Sequence, residues 1–204
     1  MRGEDYEREP ASSAYHRGLP MGERLSAQPL IDDPLTSFEG DLKMAPLGPM
    51  LVPERPRGGE LDPAECFHCT LGVEHSIWKD DLWHVGTPDS YGLPFIAGLA
   101  PNEHVRLHEM TPDLLASMGS MVQRLAGAIQ RLDGVARTHF SRWGDGSAHF
   151  HMTFLARPLG MMQGRGYMLA VWDDVLPPTD PELIAANRAQ VAAMLAETGG
   201  RALV

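Results

Sequence analysis

Apolar positions between residues 111 and 134 recur with a helical period: Leu114, Leu115, Met118, Met121, Val122, Leu125, Ile129 and Leu132. Such spacing puts one apolar stripe along a long helix. Thr111 supplies an N-cap, Pro112 the first helical position and Asp113 a favourable first-turn charge, with Gly134 the expected C-cap. A second helix is expected to start at Asp180 and Pro181, carry Leu183, Ile184, Val191, Met194 and Leu195, and end at Gly199 and Gly200. Strand-like runs flank the long helix. Residues 76–86 and 93–99 read as two strands separated by a turn-rich stretch, and residues 135–143 and 148–158 as two more joined by Gly144-Asp145-Gly146-Ser147. The order β-β-α-β-β-α predicts an α+β fold. Short hairpin connections favour antiparallel pairing, so an antiparallel sheet with helices on one side is expected.

Residues 1–65 carry no comparable pattern. They are rich in Pro, Gly and charge, and read as an extended N-terminal arm before a domain of residues 66–204. The apolar pieces Leu30-Ile31 and Met50-Leu51-Val52 point to an arm that lies against the body or a partner subunit. Thirteen acids against 7 bases fall in this arm, a balance of -6 out of a formal -10 for all 204 residues. No basic patch offsets that charge, which argues against nucleic acid as a partner. Residues 1–10 are too charged for a secretory leader, and the longest weakly polar run, residues 91–101, is far short of the ~20 a membrane helix needs. A soluble, cytoplasmic protein with no membrane partner is expected.

The candidate chemistry is concentrated in two places. The only cysteines, Cys66 and Cys69, form a Cys-x-x-Cys pair, which in a reducing compartment is a metal knuckle, a redox pair or two inert thiols. The redox reading wants a βαβ context that the pattern lacks. Downstream, in Ser147-Ala148-His149-Phe150-His151-Met152-Thr153-Phe154, strand alternation places Ser147, His149, His151 and Thr153 on one face and the apolar residues on the other. Two incidental surface histidines would give the same pattern.

That segment resembles the signature of the histidine triad (HIT) superfamily, His-φ-His-φ-His-φ-φ with φ apolar, with Thr153 at the third histidine's place. The stretch ending Pro101-Asn102-Glu103-His104 is similar to the strand, proline and histidine that precede the long helix in that superfamily, and Cys66-Phe67-His68-Cys69 resembles the cysteine pair of its zinc-containing members. There is also likeness to the galactose-1-phosphate uridylyltransferase branch, whose pattern His-Pro-His-Pro-Gln has a glutamine at the third place. The similarity spans about residues 66–165. It implies a HIT-like antiparallel sheet with a long helix and a C-terminal helix, and a homodimer.

The resemblance also implies roles. Cys66, Cys69, His104 and His149 would bind a structural zinc ion, with His68, His75 and His108 as fallback ligands, since zinc takes four tetrahedral N and S donors. His151 would be the nucleophile that attacks an α-phosphate and forms a covalent nucleotidyl-histidine, its other ring nitrogen held as N–H by a backbone carbonyl. Thr153 would offer a hydroxyl to phosphate, and Ser147 a further hydroxyl. For the substrate, Gly146 belongs to a candidate backbone nest that equally reads as a tight turn. Arg157 and Gln163 follow the strand and could meet phosphate, although an arginine there also reads as a solvated edge residue. Met161, Met162, Met168 and Trp172 could line a base pocket, pack a core or form a dimer interface. The function implied is a hydrolase or nucleotidyltransferase acting on a small nucleotide-like substrate. The alternative is the same fold put to non-nucleotide chemistry or to a nonenzymatic binding role, because the third triad position is Thr153.

Overall fold

The computed structural model describes residues 20, 22–32, 38–46 and 53–204, and contacts divide the chain into two units between Pro56 and Arg57. In the first unit Gln28–Ile31 form a short helix. Residues 50–52, on which the expectation of a docked arm partly rested, lie outside the described residues.

The second unit holds six strands: β1 (Trp78–Lys79), β2 (Trp83–Gly86), β3 (Ile96–Pro101), β4 (Val135–Ser141), β5 (Met152–Pro158) and β6 (Arg201–Ala202). They form one antiparallel sheet in the order β4-β5-β3-β2-β1-β6. Its principal helices are α1 (Phe67–Leu71), α2 (Pro112–Gln130), α3 (Met168–Val175) and α4 (Pro181–Ala196). The α+β architecture expected from the pattern is present.

Both long helices start where local chemistry dictates. The Thr111 side chain accepts a hydrogen bond from the N–H of Leu114, and that of Asp180 from the N–H of Glu182, each followed by proline at the first helical position. Helix α2 ends earlier than expected, capped at Arg131, while Gly134 with φ +70° serves the turn into β4. The run 76–86 is not one strand. The Asp80 carboxylate accepts from the N–H groups of both Leu82 and Trp83, so the chain reverses there and β1 pairs with β2.

Alternation along the strands sorts two cores. Ala97 and Phe154, opposite each other in the β3–β5 register, join Trp78, Trp83 and Leu99 against Met121, Leu125 and Ile129 of α2 and Val191 and Leu195 of α4. Their neighbours Ile96 and Leu155 face the other way and pack with Leu169 of α3 and Ile184 of α4. Helix α3, for which the sequence showed no long period, therefore covers part of the second face, so the helices are not all on one side. Among the described residues, the rest of that second face, over β2, β3 and the start of β5, has no helix of the main core upon it. There the site lies.

Candidate metal centre and adjoining cleft

Residues 147–151 were expected as the first half of a strand. The β5 ladder to β3 begins only at Met152, because the preceding backbone has other partners. Gly58 donates to the carbonyl of Gly146 and accepts from the N–H of Ala148, and the N–H of Phe150 donates to the carbonyl of Val105. The alternation survives without the ladder: Ala148 and Phe150 are buried on one side, with Phe150 in the main core, while His149 and His151 emerge on the other.

His149 is 1% exposed and Cys66 is fully buried. With Cys69 and His104 they form a cluster whose four ligand atoms all lie within 4.8 Å of one another. The Nδ1 of His149 is 3.6 Å from the sulfur of Cys66 and 3.5 Å from that of Cys69, and the Nδ1 of His104 is 3.4 Å from the Cys69 sulfur. A tetrahedral ion with sulfur at ~2.3 Å and imidazole nitrogen at ~2.0–2.1 Å sets its S···N edges at about 3.5 Å. The donor set is thus spaced to fit such an ion.

The tautomer fits as well. The Nε2 of His149 is 3.0 Å from the carbonyl of Pro101, which can only accept, so Nε2 carries the proton and Nδ1 turns a lone pair to the thiols. Burial pushes the His149 imidazole down to about 4 and desolvation, with the neighbouring Cys66 thiol, pushes the Cys69 thiol up to about 11. A bound cation would reverse the thiol's shift, because the thiolate is the ligand form. The four residues form a centre that could hold a metal ion.

A short loop straps this centre. Arg57 and Glu60 form a 2.7 Å ion pair, Arg57 also donates to the carbonyl of Gly144, and Arg106 donates to the carbonyl of Glu60. Between them Gly59 has φ +76°, and a Cβ there would sit 2.6 Å from the Cβ of Cys66 and 2.7 Å from Cε1 of His104. Only glycine allows the loop to close so tightly.

On the far side of His149 opens a cleft of about 380 Å³, within the size range of small-molecule sites. Its floor is a straight row across three strands, since Gly86 pairs with Gly98 and Gly98 with Thr153. His68, His84 and His151 line it, and no lysine or arginine is among its described lining residues. The Nδ1 of His151 lies 3.0 Å from the carbonyl of His149, which fixes the proton on Nδ1 and leaves the lone pair on Nε2. His68 faces both histidines, with ring centroids 4.9 Å from His151 and 5.3 Å from His149. Burial, reinforced by His151, pushes its imidazole down to about 4.

No family model matches the chain, and no curated protein matches it. Solved structures do. A histidine triad protein from Marinobacter aquaeolei VT8 is 17% identical, with a TM-score of 0.50 over 64% of this chain and 96% of that one. Another from Bradyrhizobium japonicum is 15% identical, with a TM-score of 0.50 over 63% of this chain and 96% of that one. This chain has a histidine-triad-like fold. A zinc-bound histidine triad family protein from Mycobacterium smegmatis is 19% identical with a TM-score of 0.47, covering 66% of this chain and 96% of that one. At such identities the likeness is one of fold.

Within the histidine-triad-like fold, the expected site residues separate into three groups. Cys66, Cys69, His104 and His149 come together in the cluster that could hold a metal ion, and His151 and Thr153 meet in the cleft. The others stand apart. Ser147 is buried beside the centre, its hydroxyl 3.8 Å from the Cys66 sulfur and within reach of the Gly58 carbonyl, and Gly146 spends its carbonyl on Gly58. Arg157 shares the face of Thr153 but lies four residues, or about 13 Å, further along the strand, and donates to the carbonyls of Pro158 and Met161. Gln163 sits in the turn Met162–Gly164. Of the candidate base-pocket residues, Met168 is buried at the start of α3, and none of the four lines the cleft.

Of the fallback ligands, His68 and His75 line the cleft and His108 lies 3.9 Å from Glu109. His84 was not singled out by sequence, although strand alternation offered the signal: Trp83 and Val85 are core residues, so His84 must face the other way, opposite Ala100 and into the cleft.

Proposed function

We propose that this chain is a zinc-containing nucleotide hydrolase or nucleotidyltransferase whose nucleophile is His151. One observation carries the reading: the hydrogen bond from Nδ1 of His151 to the His149 carbonyl, which leaves Nε2 unprotonated in a cleft sized for a small ligand. The Nε2 lone pair forms a bond to the α-phosphorus, and the bond from phosphorus to the leaving group breaks. The leaving group departs with that electron pair and is protonated from solvent. Water or an acceptor hydroxyl or phosphate then attacks phosphorus and loses its proton to solvent, and the P–N pair returns to Nε2.

Zinc is the cation we assign to Cys66, Cys69, His104 and His149. Two thiolates and two neutral imidazoles balance its charge and leave no open position, which suits a structural role. That role here is positional, because fixing His149 fixes the carbonyl that sets the His151 tautomer. Thr153 supplies a hydroxyl donor beside the phosphate. We further propose a cytoplasmic homodimer, for which β4 is a suitable edge: it pairs only with β5 in the described sheet and leaves Phe140 half exposed. Light scattering reads that directly.

The deciding experiment is turnover of adenosine and guanosine phosphoramidates, dinucleoside polyphosphates and a nucleoside-diphosphate sugar by zinc-loaded protein, beside His151→Ala. Release of nucleoside monophosphate that vanishes in the variant is expected. The lack of lysine and arginine among the described lining residues of the cleft favours one other reading, a binding protein on the same fold. Nucleotide binding without turnover would establish it.

A further inference from the structure

The Cys-x-x-Cys turn has two faces, and only one of them turns to the metal centre. In a helical turn, residues i and i+3 share a face while i+2 points elsewhere. Cys66 and Cys69 turn their sulfurs to the metal centre, so His68 is carried round to the cleft, where its ring lies 4.9 Å from that of His151 with a tilt of 33°. Among the described residues His68 is held by ring contacts with Phe67, His149 and His151 rather than by a hydrogen bond. Its N–H therefore remains available to a ligand.

The cleft needs such a donor. An attacked phosphoryl group gathers charge on its non-bridging oxygens and is stabilised by oriented donors in a water-poor site, yet no lysine or arginine is among the described lining residues of this cleft. The expected loop at Gly144-Asp145-Gly146-Ser147 does not line it either, being engaged with Arg57 and Gly58. Of the other described lining imidazoles, His84 has its Nδ1 committed to Asn102 at 3.2 Å, and His75 is exposed at the end of the turn Val73–His75. A reacting phosphorus about 3–3.5 Å from Nε2 of His151 places its oxygens within reach of the neighbouring imidazole edge.

We propose that His68 is a second imidazole of the active centre, donating a ring N–H to a non-bridging oxygen of the phosphoryl group held against His151. The Cys-x-x-Cys turn then anchors the metal with one face and contacts the substrate with the other. This rests on the reading of His151 as nucleophile.

The test uses zinc-loaded full-length protein with two variants: His68→Phe keeps the ring and removes the N–H, and His68→Gln keeps an N–H donor and removes the ring. Steady-state kcat and KM on adenosine phosphoramidate, affinity for AMP by calorimetry, and zinc content are measured for each. Loss of one oriented donor lowers kcat roughly 10²- to 10³-fold. The expected result is such a fall for His68→Phe, borne mainly by kcat with zinc content unchanged, and recovery of at least about tenfold in His68→Gln. Wild-type kcat/KM in His68→Phe, no recovery in His68→Gln, or loss of zinc in both variants would overturn the proposal. If the wild type turns over nothing, the nucleophile reading fails, and His68 is judged on AMP alone. Binding weakened about tenfold in His68→Phe and regained in His68→Gln sustains its role as an anion donor; equal affinity in all three proteins, including none, ends it.

Discussion

His149 and His151 are two residues apart on the same extended segment, yet they are used in opposite ways. His149 is buried, gives its Nε2 proton to the Pro101 carbonyl and turns Nδ1 to two thiols. His151 is half-buried, gives its Nδ1 proton to the His149 carbonyl and keeps Nε2 for the cleft. The chemistry of an imidazole follows from which nitrogen the backbone occupies, and here one peptide carbonyl decides it for each ring. The largest expected effect breaks the pair on the cleft side. His151→Ala should lower turnover roughly 10³-fold or more, since it removes the attacking nitrogen, while circular dichroism and metal content stay as in the wild type.

On the metal side the same logic predicts loss of fold rather than loss of chemistry alone. Chelation, or Cys66→Ser, should lower the thermal midpoint by on the order of 10 °C, because metal binding energy is folding energy at such centres. Differential scanning calorimetry with and without chelator reads it. A smaller effect is expected at the strap. Gly59→Ala adds a Cβ 2.6 Å from that of Cys66 at a φ of +76°, and should destabilise by roughly 1–3 kcal/mol while speeding zinc loss to a competing chelator. Gly98→Val makes the opposite comparison. Its Cβ would meet nothing within 4 Å and would stand in the cleft, so a midpoint unchanged or slightly raised is expected, with KM raised about tenfold or more. A Gly98→Val protein that turns over normally would show that the substrate does not use the glycine floor.

The same contrast explains what could be read before the structure. The helix starts at Thr111-Pro112 and Asp180-Pro181 were legible because capping is local, and so was the alternation that sends Phe150 and His151 to opposite sides. Partners were not legible. Alternation cannot tell that residues 146–150 pair with Gly58 and Val105 instead of β3, because those partners lie in loops far earlier in the chain. The cysteine pair was legible from its spacing and His104 and His149 were reached through resemblance, whereas the carbonyl of Pro101 that orients His149 has no side-chain signature at all. Arg157 and Gly146 suggested phosphate contacts by type and proximity in sequence. In three dimensions the first donates to carbonyls of its own turn, and the carbonyl of the second accepts from the N–H of Gly58.

The smallest expected effect uses acid to separate the two sides without mutation. In metal-free protein, burial pushes His149 and His68 down to about 4, while an unfolded imidazole titrates near ~6.5. Between those values the unfolded chain binds more protons than the folded one, so stability is fully present above about 6.5 and is lost as pH falls toward 4. The thermal midpoint of metal-free protein should therefore decline steadily across that window. Metal-loaded protein should hold its midpoint further into acid, because the ion occupies the Nδ1 that a proton would take, and then fall more steeply as the metal is released. Superimposable profiles with and without zinc would mean that the cluster binds no ion strongly enough to compete with protons, and would remove the metal from the account of what fixes His151.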